Sequence, residues 1–139
     1  MVRPPAQAST SPAGTTSPPV ATPTTAAPRH PVAQARPASG LTQGQSVEVT
    51  GSGFTPGLSL VVVQCLARGT STGSGDCNLA ALVGTRADPT GRVAVHLTVS
   101  KGPFGNPPVL CSSTQRCLVS ITEATLTPTE EADTPISFR

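Results

Sequence analysis

The chain has 139 residues, a formal net charge of +2, 16 prolines, 4 cysteines, and 3 phenylalanines as its only aromatic side chains. Residues 1–39 hold nine of the prolines with nine Ala, six Thr and four Ser, and no Phe, Leu or Ile, too little apolar surface to offset chain entropy. What remains has room for one small core, and the charge excludes a Lys/Arg-rich nucleic-acid face and a polybasic membrane patch.

Residues 1–31 read as a disordered Pro/Ala/Thr/Ser-rich tail or linker, and residues 32–139 as the folded domain. Arg3, Arg29 and Arg36 face no acid in the opening stretch, which leaves six basic and seven acidic residues for the rest. No apolar run reaches the roughly 18–20 residues of a spanning helix.

In chain order, Val32–Arg36 predicts a weak opening strand, at an edge because prolines flank it. Ser46–Thr50 alternates, with Val47 and Val49 on one face. Gly51–Gly57 is a glycine-rich connection around Phe54, a core candidate. Leu58–Leu66 is nearly all apolar and predicts a central strand covered on both faces. Arg68–Asp76 is a polar loop, Asn78–Arg86 the next strand, and Ala87–Gly91 a turn with proline and glycine at turn positions. Arg92–Ser100 alternates cleanly. Gly102–Pro108 is a proline-rich loop around Phe104, the one phenylalanine placed to face a ligand. Cys117–Ala124 alternates again, Thr125–Thr134 reads as a loop, and Pro135–Phe138 closes the sheet with Phe138 packed inward. The expectation is an all-β fold, a seven-stranded immunoglobulin-like antiparallel sandwich.

Cys65, Cys77, Cys111 and Cys117 all lie in the compact part. An even count in a small, weakly charged domain favours two disulfides and an oxidising compartment over zinc, whose ligand spacings these intervals fit poorly. Nearest-neighbour pairing would close two short loops, each adding about 2–3 kcal/mol in the chain-entropy model. An exported protein starts with an apolar signal segment, and Met1–Thr25 has none, so the sequence is expected to begin after its signal or at a misassigned start.

Catalytic residues are not expected. His30 falls in the tail, and His96 lies on the polar face of a strand, so no serine has a positioned base. The run Glu130-Glu131-Asp133 lacks the spaced ligands of a calcium loop and reads as solvated. Gly51-Ser52-Gly53 leads into no helix N-terminus, which removes the physical basis for phosphate binding. No metal or nucleotide cofactor is expected, and with no Tyr or Trp the stacking platforms of nucleic-acid readers are missing.

From Pro37 to Arg139 the chain resembles the neocarzinostatin family, small secreted apoproteins that carry enediyne antibiotic chromophores. The residues that carry the resemblance are Pro37-Ala38-Ser39-Gly40-Leu41, Val47-Glu48-Val49-Thr50-Gly51-Ser52-Gly53-Phe54, Pro56-Gly57 and Gln64-Cys65. It continues through Cys77-Asn78, Asp88, Gly91, Leu97-Thr98-Val99, Cys111, Cys117 and Ile136-Ser137-Phe138. The resemblance implies disulfides Cys65–Cys77 and Cys111–Cys117 and an open cleft beside the sheet. It maps the cleft onto Val63, Ala67, Leu82, Phe104, Ser120 and Thr122. Ala67 and Leu82 stand where the family has a tryptophan and a phenylalanine.

The implied function is a non-catalytic, secreted or cell-envelope carrier that binds and protects a small hydrophobic, enediyne-type chromophore. DNA would be met only through that chromophore, and the protein is expected to be a monomer. The alternative expectation, from the Pro/Ala/Thr stalk, is a structural or adhesive immunoglobulin-like module with no bound ligand.

Overall fold

The computed structural model describes residues 30–68 and 74–139. The expected tail up to residue 29, and residues 69–73 of the polar loop, lie outside the described residues.

The described strands are β1 (Val32–Arg36), β2 (Ser46–Ser52), β3 (Ser59–Leu66), β4 (Val83–Arg86), β5 (Val93–Thr98), β6 (Cys117–Glu123) and β7 (Glu131–Ile136). They form two antiparallel sheets, ordered β1-β2-β5 and β4-β3-β6-β7. The alternating valines explain the layering. Val47 and Val49 of β2 and Val93 and Leu97 of β5 turn inward onto Leu60 and Val62 of β3 and Val119 and Ile121 of β6. Burying such side chains stabilises by about 1.5–3 kcal/mol each. Phe54 fills the same core from the connection after β2 and is only 1% exposed.

The apolar run of β3 has a second cause. Leu60, Val62 and Leu66 face the main core, whereas Val63 and Cys65 form a separate apolar cluster with Cys77, with Val61 and Leu118 packed against it. Both faces of the strand are therefore lined with apolar neighbours. Cys65–Cys77 and Cys111–Cys117 are bonded, with S–S distances of 2.00 and 2.01 Å.

Two expected strands need correction. Asn78–Arg86 is a strand only over Val83–Arg86; Leu79–Ala81 forms a 3-10 turn. The disulfide holds Cys77 against Cys65, and the Asn78 N–H donates to the Gln64 carbonyl at 2.8 Å, so the chain leaves this anchor by turning. The last strand is Glu131–Ile136 and not Pro135–Phe138. Glu, Asp and Pro are poor strand formers, but β7 is an edge strand, where charge and proline are tolerated. Ala132 and Ile136 still point into the core. Phe138 is half-buried against that core, and its segment makes a single parallel bridge to Leu41.

Candidate functional site

The larger cavity, about 890 Å³, lies on the outer face of the four-stranded sheet. Strand register builds its floor in rows. Val61 of β3 pairs with Thr122 of β6, which pairs with Glu131 of β7; Val63 pairs with Ser120, which pairs with Asp133. These residues all line the cavity, because positions two apart on a strand share a face. The floor is thus apolar along β3, hydroxylic along β6 and acidic along β7. The Cys65–Cys77 disulfide and Leu118 extend its apolar side.

The rim comes from two turns. Leu79, in the 3-10 turn that follows the disulfide, is 53% exposed, and Leu126, in the β6–β7 loop, is fully exposed. That loop is tied at its base. The Glu123 carboxylate accepts from the Thr129 N–H and hydroxyl, each at 3.1 Å, and the Ala124 N–H donates to the Ser59 carbonyl at 3.0 Å. The Glu130 carboxylate accepts from both the N–H and the hydroxyl of Thr55. On the floor, the buried Ser120 hydroxyl donates to Glu131 Oε2 at 3.3 Å. Partial burial of Glu131, and then its neighbour Asp133, raise its carboxyl above the ordinary range, while the Ser120 bond pulls it down.

A second concavity, about 680 Å³, lies against β1, β2, β5 and the end of β4. Its polar groups already hold a turn together. Asp88 Oδ1 accepts from the N–H groups of Thr90 and Arg92 at 2.8 and 2.9 Å, and Arg86 Nη1 donates to the Gly57 carbonyl at 3.0 Å. The Arg92 N–H, followed by the Thr90 hydroxyl, lowers the Asp88 carboxyl below its ordinary value. Asp88 and Arg86 are thus both engaged in holding backbone at this concavity.

Of the residues expected at the site, Val63, Ser120 and Thr122 come together in the larger cavity. Ala67, Leu82 and Phe104 do not line it. Ala67 is exposed beyond the end of β3, and its N–H donates to the Arg116 carbonyl at 2.8 Å. Leu82 is 42% exposed just before β4. Phe104 departs furthest from expectation: its ring is drawn into the main core and is 9% exposed. Reciprocal N–H to carbonyl bonds with Val109, at 3.1 and 2.8 Å, fold its loop back so that the ring points inward. The loop meets the segment before Cys77 through backbone, the Asn106 N–H donating to the Gly75 carbonyl at 2.8 Å.

Residues that sequence reasoning did not assign to the cavity include Val61, Leu79, Leu118, Leu126 and the acids Glu123, Glu131 and Asp133. Alternation carried a usable signal for some of them: Leu118 shares the face of Ser120 and Thr122, and Glu131 and Asp133 flank the inward Ala132. Among the described residues, no group of three or more His, Cys, Asp or Glu side chains could hold a metal ion. No described helix is long and apolar enough to cross a membrane.

The model of the neocarzinostatin family matches residues 33–138. Among solved structures, the chain is similar to macromomycin, with 26% identity and a TM-score of 0.65, over 79% of this chain and all of that one. It is also similar in fold to apokedarcidin in its solution conformation, with 24% identity and a TM-score of 0.53, over 78% of this chain and 98% of that one. No curated protein matches.

Proposed function

The chain belongs to the neocarzinostatin family, and from that premise we propose that it is a non-catalytic carrier holding a small hydrophobic ligand of the enediyne-chromophore type in the larger cavity. The observation that supports this most is the cavity itself. Its volume of about 890 Å³ suits a small molecule, and it opens on a floor that is apolar along one side. Val61, Val63, Leu118 and the Cys65–Cys77 disulfide would bear the ligand's apolar face, and Leu79 and Leu126 would close over it. Among the described residues no aromatic side chain lines this cavity, so aliphatic burial, at about 25 cal/mol per Å², would supply the affinity in place of ring stacking. Ser120 and Thr122 would orient polar groups of the ligand through their hydroxyls.

The same reading includes export, since both disulfides suit an oxidising compartment. Residues 1–31 would serve as a tether to the folded domain and take no part in binding. Native mass spectrometry of protein from the producing cells tests the carrier reading. A non-peptide ligand at one per chain, released by organic solvent, is the expected result. A bare chain from cells that secrete the protein in quantity would argue instead for a structural module.

A further inference from the structure

We infer that the concavity against β1, β2, β5 and the end of β4 is a second binding site, one that takes a phosphate monoester on Arg86 and Arg92. It lies on the other sheet from the larger cavity and does not depend on the carrier reading. Its volume of about 680 Å³ has room for a small phosphorylated molecule. Strand alternation builds its floor. Ala33 and Ala35 of β1, Val49 of β2 and Val93 of β5 turn toward the core, so Gln34, Thr50, Ser52, Arg92 and Ala94 face outward. Register sets Gln34, Thr50 and Ala94 in one row and Val32 beside Ser52 in the next. Hydroxyl and amide groups thus surround Arg92, and Thr85 and Arg86 reach the same space from β4.

Charge sets this surface apart. Two arginines and a single aspartate belong to the described lining, which leaves one positive charge over. The aspartate is already committed to its turn. Asp88 Oδ1 accepts from the Thr90 N–H, the Thr90 hydroxyl and the Arg92 N–H at 2.8, 2.7 and 2.9 Å. The Arg86 bond from Nη1 to the Gly57 carbonyl fixes that guanidinium in place and leaves the rest of its fork to donate. Among the described residues, the Arg92 guanidinium and the hydroxyls of Thr50, Ser52 and Thr85 have no hydrogen-bond partner. A tetrahedral oxyanion satisfies such a set, because it accepts paired bonds from guanidinium and single bonds from hydroxyls. A monoester, close to doubly charged at neutral pH, offers an oxygen to each arginine. A cation would meet two like charges here, and a neutral sugar would find no aromatic face in the described lining.

The competing account is that both arginines are solvated surface charges, with Arg86 serving only the Gly57 carbonyl. Amide NMR titration of the full chain with phenyl phosphate, beside phenol as the uncharged control, separates the two accounts at low ionic strength. Phenyl phosphate should produce saturable shifts centred on Thr50, Ser52, Thr85 and Arg92, and phenol should bind at least about tenfold more weakly. Arg92→Gln protein, shown by circular dichroism to be folded, should bind phenyl phosphate roughly tenfold more weakly than the native chain. Arg116→Gln removes an exposed arginine outside the lining and should change the affinity by less than about twofold. Shifts that fail to saturate, phenol binding equal to that of its phosphate, or equal losses in the two variants would each overturn the inference. None of these outcomes touches the carrier reading, whose cavity lies on the four-stranded sheet.

Discussion

Gln64 and Ser100 form a side-chain-to-backbone pair that joins the two sheets. Gln64 Oε1 accepts the Ser100 N–H at 2.8 Å, and its Nε2 donates to the Ser100 carbonyl at 2.7 Å. The same amide lies 3.2 Å from Cys111 Sγ, and the side chain is 1% exposed. A glutamine in the largely apolar β3 thus stands in for a strand neighbour that Ser100, just past β5, does not have. It also sets the start of the segment leading to the Cys111–Cys117 disulfide.

Gln64→Leu conserves volume but leaves both backbone groups of Ser100 without that partner. Each unsatisfied buried group costs about 1–3 kcal/mol, so a loss of roughly 2–5 kcal/mol is expected in urea unfolding. A loss below about 1 kcal/mol would mean that water replaces the amide at no cost.

Gly91 and Gly57 separate backbone strain from steric collision. Both have φ of +79°, but a Cβ at Gly91 would run into the Phe54 carbonyl oxygen, whereas at Gly57 nothing lies within 4 Å. Gly57→Ala should therefore cost only the left-handed penalty of roughly 1–2 kcal/mol. Gly91→Ala should cost clearly more, since the turn must also move away from Phe54, whose N–H donates to the Gly91 carbonyl at 3.2 Å. Equal losses in parallel melts would mean that the turn yields freely.

Phe54 and Phe104 are both core residues, and truncation should show it. Phe54→Ala should cost roughly 3–5 kcal/mol of folding stability, and Phe104→Ala somewhat less because its ring keeps 9% exposure. Ligand affinity of folded Phe104→Ala protein should be nearly unchanged. A stable Phe104→Ala variant with weakened ligand binding would instead return that ring to the cavity wall.

Phe104 also shows where sequence patterning stops. Strands whose inward residues are β-branched or leucine, such as β2 and β5, are legible because their period of two coincides with burial. A phenylalanine among glycines and prolines carries no period, and the direction of its ring follows from loop bonds such as those between Phe104 and Val109. Strand β7 is hidden for a related reason: its inward residues include the small Ala132, and its outward ones are two acids and a proline. The floor residues Val63, Ser120 and Thr122 were accessible through resemblance and alternation. Leu79 and Leu126 were not, since a leucine in a 3-10 turn or a polar loop carries no period and becomes part of a rim through the fold around it.

Glu131 supplies a pH-dependent expectation opposite in sign to that of Asp88. Because burial and Asp133 raise the Glu131 carboxyl in the folded protein, the folded state holds that proton more tightly than the unfolded state. Its contribution to stability is then most favourable below the unfolded carboxylate value and declines as pH rises through the raised folded value. Glu131→Gln should accordingly raise the melting temperature at neutral pH, with the advantage fading as acidification protonates the native residue. Asp88, lowered chiefly by the Arg92 N–H and then the Thr90 hydroxyl, contributes stability above its unfolded value and loses it as pH falls through the lowered one. Asp88→Ala should therefore be most damaging at neutral pH and least in acid. Melting curves of both variants beside the native chain, from neutral pH down to about pH 3, test the two signs together. A Glu131→Gln variant less stable than the native chain at neutral pH would mean that the carboxylate is already well accommodated.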